Sequence, residues 1–142
     1  MSNSEETTKK SDPAEVVLDQ RGLVLNESGQ LFLIKTEAGW DLPGGLYDGN
    51  GNWRESLESI VEETSGLAVM TKQPVYAADF EDPEAGTYIY MNVIECLAIG
   101  ETLEFDGDDS LGKWFNAGDL SSLEYAAFEV RQAVLDFMFV PA

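Results

Sequence analysis

Carboxylates are the only abundant reactive groups in this chain. Of its 142 residues 27 are Asp or Glu, against 8 Lys and Arg, one cysteine and no histidine. Without histidine there is no Ser-His-Asp or Cys-His nucleophile, no HExxH zinc site and no His-ligated haem. The single cysteine, Cys96, can make neither an internal disulfide nor a cysteine zinc cluster. Its setting in VIECLAI reads as a small buried hydrophobe. Any catalysis must rest on carboxylates, hydroxyls, lysine or a hard cation held by oxygen ligands.

The same acids limit the partners. A formal charge of −19 repels phosphate backbones and anionic membranes, so neither nucleic acid nor a membrane surface is expected to bind. The five Lys and three Arg form no basic cluster beyond Lys9-Lys10. The acids are spread along the whole chain, a pattern that resembles proteins of halophilic cells. In about 1 M salt the Debye length is near 3 Å, which screens such self-repulsion. No uncharged run approaches the roughly 20 residues of a membrane span. The polar start MSNSEETTKKSDP lacks an apolar signal segment, so a soluble, cytoplasmic protein is expected.

The elements that must position these acids alternate between strand and helix, which points to one α/β domain over residues 13–142 behind a polar, mobile tail at 1–12. Val16–Leu18, Gly22–Leu25 and Leu31–Ile34 read as strand, with Asn26-Glu27-Ser28-Gly29 as a hairpin loop. Gly39–Gly45 reads as a rigid, glycine-bearing turn. Asn52 with Glu55 three residues on starts a helix that Gly66 ends. Trp53, Leu57, Ile60, Val61 and Thr64 are its core-facing stripe. Strands are expected over 74–80 and 87–99, split by the turn Glu81–Gly86, with a short extended piece at Lys113–Phe115. Ser121 with Glu124 is the expected cap of a last helix carrying Ala127, Val130, Val134 and Met138 on its apolar side.

The stretch Trp40-Asp41-Leu42-Pro43-Gly44-Gly45, followed by Val61, Glu63 and Gly66-Leu67, resembles the Nudix box region. Its pattern is G-x5-E-x7-R-E-U-x-E-E-x-G-U with a W-x-x-P-G lead-in. Gly45 opens the pattern and Gly66-Leu67 close it at full length without a gap. The resemblance covers most of the chain and implies a Nudix-type α/β/α sandwich with a mixed central sheet. It also implies hydrolysis of a nucleoside diphosphate linked to another moiety, with Mg²⁺ or Mn²⁺ beside the diphosphate that water attacks. Glu63 then takes the catalytic and metal-binding place, Gly44 offers a carbonyl to the metal, and Glu62 reaches in from the edge. The family's other box residues are replaced: Gly51 and Ile60 stand for glutamates, Ser59 for the arginine and Thr64 for the second paired glutamate. A weak or atypical activity follows, or a module that binds a nucleotide-like ligand without cleaving it.

Around the helix, Glu55 lies roughly 80° from Glu63, Glu62 roughly 100° and Glu58 about 140°. Asp48 can approach from the preceding loop. Glu62 and Glu63 sit in the last helical turn, where negative charge is unfavourable, so a cation would relieve them there. The alternative is that both are solvated surface charges. Glu95, Glu101 and Glu104 are candidate outer carboxylates, and Phe80, Tyr88, Tyr90 and Trp114 are candidate base-stacking aromatics or plain core. Gly107–Lys113 has P-loop spacing, but Trp114 replaces the needed Ser or Thr and two aspartates oppose phosphate. Asp48, Asn50 and Asn52 open like a calcium loop, but Trp53 and Ser59 replace its glycine and bidentate glutamate.

Overall fold

Leu23 and Val24, adjacent on one strand, are both completely buried, so the sheet must be covered on both faces. In a computed structural model of the chain, which describes residues 15–49, 51–99 and 112–139, this is the case. The elements run β1 (Glu15–Leu25), β2 (Leu31–Thr36), β3 (Gly39–Asp41), β4 (Gly44–Leu46), α1 (Trp53–Ser65), β5 (Val69–Asp82), β6 (Thr87–Ala98) and β7 (Gly112–Phe115). A 3₁₀ turn at Ala117–Ser122 and helix α2 (Phe128–Met138) complete the order.

The sheet path is β3-β2-β1-β6-β5, with β4 also paired to β1 and β7 to β2. β1 and β6 run parallel over their whole length, while the other pairings are antiparallel. The expected mixed sheet in an α/β/α sandwich is therefore observed. On one face Leu57 and Val61 of α1 pack onto Val24, Phe32, Ile94 and Cys96. On the opposite face α2 packs Val130, Ala133 and Val134 against Leu23, Leu33 and Val93. No helix among the described residues is long and apolar enough to cross a membrane.

The hairpin loop forms at Asn26–Gln30, where the Asn26 side chain accepts from the backbone amides of Ser28 and Gln30. Three local expectations need correction. Gly39–Gly45 is not simply a turn. It forms β3 and β4, since pairing with β2 and β1 supplies the backbone partners a free turn would lack. Ser121 and Glu124 do not cap the last helix. Trp40 draws residues 124–126 into backbone hydrogen bonds (Trp40 N–H to Glu124 O, Ala126 N–H to Trp40 O), so α2 starts only at Phe128. Thr64 is exposed, its hydroxyl bonded back to the Ile60 carbonyl, and Ser65 is buried instead. The tail at 1–12, Glu101, Glu104 and most of Gly107–Lys113 lie outside the described residues.

Candidate functional site

Helix α1 starts and stops where its cap residues dictate. The Asn52 side chain accepts from the Glu55 amide at 2.9 Å, leaving it no calcium-loop role, and Gly66 ends the helix at φ 80°. The helix comes down on the sheet at Gly22, where an added Cβ would lie 2.9 Å from a Val61 methyl. Its first turn is tied to β1 by Gln20, which is 1% exposed. The Gln20 amide donates to the Trp53 carbonyl, and its oxygen accepts from the Ser56 hydroxyl, both at 3.1 Å. Sequence reasoning missed this residue. Flanked by Asp19 and Arg21, it carried no signal that it would be buried.

One edge of α1 forms the wall of a cleft of about 330 Å³, lined by Asp48, Glu55, Ser56, Ser59, Ile60 and Glu63. Glu63 thus faces a cleft, and Asp48 and Glu55 share it. Glu62 and Gly44 are not among its lining residues. Glu62 is exposed. Gly44, at φ 156°, lies so close to β1 that a Cβ would run into the Gln20 carbonyl oxygen. Among the described residues no three carboxylate or thiol groups come close enough together to hold a metal ion.

Several other acids are committed elsewhere. Glu58 accepts from the backbone amide and hydroxyl of Thr71, and Glu95 pairs with Lys72 at 3.5 Å. On the α2 side of the sheet Arg21 holds both Asp19 oxygens, Asp41 and the Leu42 carbonyl, clamping β1 to the bend before Gly44. Burial pulls the Arg21 pKa down, but its two aspartates outweigh that and raise it. Asp41 is itself raised, by burial that Arg21 offsets only in part.

A second cleft, of about 490 Å³, opens past the start of α1, between Val16, Leu18, Trp53, Pro74, Tyr90 and Asn92. A third depression, lined by Leu18, Leu46, Tyr47 and Asp48, borders both. It shares Leu18 with the second cleft and Asp48 with the first. Of the four aromatic candidates only Tyr90 lines the second cleft. Trp114 packs edge-on against Phe32 at 5.2 Å, and the Tyr88 hydroxyl is hydrogen-bonded to Asp79. Trp53, expected in the core, is a wall of the second cleft, with the Arg54 guanidinium 4.5 Å from its ring centroid.

This arrangement of sheet, helices and glycine bend recurs in solved proteins. The fold is that of the Nudix hydrolases. A MutT protein from Methanosarcina mazei superposes with a TM-score of 0.68 at 17% identity, over 87% of this chain and 93% of that one. A Nudix hydrolase from Nitrosomonas europaea gives 0.68 at 11% identity, over 87% and 88%. An ADP-ribose pyrophosphatase from Streptococcus suis gives 0.60 at 22%, over 89% and 94%. No family model matches the sequence. No curated protein matches it either. Within this fold the glycine bend is the junction of β3 and β4, and α1 is the helix that follows it.

Cys96 lies under α1 at 1% exposure, as its sequence setting suggested. Burial, with smaller contributions from Glu58 and Glu95, pushes its thiol up to about 12, so it stays protonated and inert at neutral pH.

Proposed function

We propose that this chain hydrolyses a nucleoside diphosphate linked to a further moiety, with Mg²⁺ or Mn²⁺ and with weak or atypical activity. One observation carries the reading. Glu63, the one acid left at its box position, opens into a cleft that Asp48 and Glu55 share. Carboxylates lining one cleft repel a diphosphate unless a cation lies between them. The donor set suits a hard ion that brings most of its ligands as water and phosphate oxygen, as Mg²⁺ does. When bound, such an ion clamps phosphate oxygens and acidifies a water molecule.

Glu63 is assigned the metal contact and the catalytic role. Glu62 and the Gly44 carbonyl belong to the proposed ligand set as marginal oxygen donors, since neither lines the cleft. Ser59 offers a hydroxyl to phosphate oxygens, whereas the Ser56 hydroxyl proton is already donated to the Gln20 carboxamide oxygen. The ADP-ribose pyrophosphatase from Streptococcus suis, which shares the fold, supports the substrate class. A soluble cytoplasmic setting, with no nucleic-acid or membrane partner, belongs to the same proposal and rests on the charge of −19.

A non-hydrolytic binding module is the second reading. It is favoured by the lack of three converging carboxylates among the described residues. The test is incubation in molar KCl, with Mg²⁺ or Mn²⁺, of nucleotide sugars, ADP-ribose, dinucleoside polyphosphates and nucleoside triphosphates. Slow, metal-dependent turnover of a diphosphate-linked substrate is expected, falling about a hundredfold in Glu63→Gln. Turnover that survives Glu63→Gln overturns the assignment. Metal-independent binding without turnover establishes the module.

A further inference from the structure

Gln20 and Asn92 are register partners on the parallel strands β1 and β6, and both point to the α1 side. Their fates differ. Gln20 is sealed, with both ends of its carboxamide bonded to α1. Asn92 is half-buried in the wall of the second cleft, and its carboxamide has no hydrogen-bond partner among the described residues. Its neighbours there include Gln20 itself, beside Val16, Leu18, Trp53, Pro74 and Tyr90. Partly exposed in an open cleft and unpaired among the described residues, the Asn92 carboxamide can exchange its water for a ligand that offers both a donor and an acceptor.

We infer that Asn92 is a specificity-determining residue that reads the edge of a nucleobase held between Trp53 and Tyr90. This rests on the nucleotide reading above and names the part of the ligand that the acid cleft leaves unspecified. A carboxamide presents one acceptor beside two donors, which matches a base edge with an amino group next to a ring nitrogen, as asparagine matches adenine. No Lys or Arg is among the described residues lining the cleft, and the chain carries a charge of −19. That field favours an edge led by an amino donor over one led by carbonyl oxygens. The aromatic rings of Trp53 and Tyr90 supply surfaces on which a flat base can stack. The third depression shares Leu18 with this cleft and Asp48 with the cleft of Glu63.

Free nucleosides separate this inference from the hydrolytic one, because they carry no phosphate and need no metal. Calorimetric titration in molar KCl with EDTA would compare adenosine, purine riboside (which lacks the amino group) and inosine. Wild type should bind adenosine about tenfold more tightly than either of the others. Asn92→Leu should erase that preference and keep the purine riboside affinity, which also reports that the variant is folded. Asn92→Ala serves where the leucine variant shows no cooperative melt. An adenosine preference that persists in the folded variant overturns the inference, as does inosine binding best. Absence of nucleoside binding to wild type also overturns it, and leaves the hydrolysis proposal standing on its own assay.

Discussion

The α1 face of the sheet has two halves built on the same two strands. In one half, Val24, Ile94 and Cys96 are buried under Leu57 and Val61. In the other, Leu18, Tyr90 and Asn92 continue the same alternation and line an open cleft. The strands do not change character between them. What changes is the cover: α1 reaches the sheet at Gly22 and begins at Trp53, so residues toward the start of β1 have no helix above them. A cleft on this fold is a stretch of core face that the helix is too short to close, and polar residues appear where closure ends.

The largest expected contrast is in packing. Leu57→Ala removes a fully buried side chain in the sealed half and should cost about 4 kcal/mol. Leu18→Ala, in the cleft, should cost under about 1 kcal/mol, because there is little packing to lose. Urea denaturation in molar KCl measures both. Equal costs would mean that the cleft is packed as tightly as the core, and would break the comparison.

The sealed half should also carry a pH signature that the open half lacks. The Cys96 thiol is raised by burial from 9.0 to about 12. A raised acid binds its proton more tightly folded than unfolded. Its contribution is therefore intact below pH 9 and is lost as pH rises from 9 toward 12. Stability at pH 11 should be lower than at pH 8 by about 3 kcal/mol from this group alone. Cys96→Ala, measured over the same range, should lose that part of the alkaline slope. An unchanged slope would mean that the thiol is not sealed.

The sealed half was legible in the sequence, and the open half was not. Asn52 and Gly66 announced α1 through local chemistry, an amide-accepting side chain and a residue free to take a left-handed conformation. Leu57 and Val61 followed from helical spacing. Thr64 was misplaced, and Trp53 packs against the core yet stays half-open to the cleft, because periodicity gives the direction of a side chain, not whether anything covers it. The start of α2 was missed because Trp40, more than 80 positions earlier, captures the backbone at Glu124 and Ala126, a partner that local capping rules do not see. Gln20 and Asn92 escaped for the same reason. Their roles depend on where α1 ends, which is a fact of assembly.

Those two residues give the smallest and sharpest test. Gln20→Leu keeps the volume but leaves the Trp53 carbonyl and the Ser56 hydroxyl without their partner, so a loss of about 2 kcal/mol is expected. Asn92→Leu strands no such group and replaces a half-buried carboxamide with an apolar side chain among apolar walls. Stability should stay level or rise by up to about 1 kcal/mol. The same exchange of carboxamide for isobutyl, at register partners on neighbouring strands, should thus have opposite signs. A matching loss at Asn92 would show that its carboxamide already has a partner in the folded chain, and would remove the reason to look for one in a ligand.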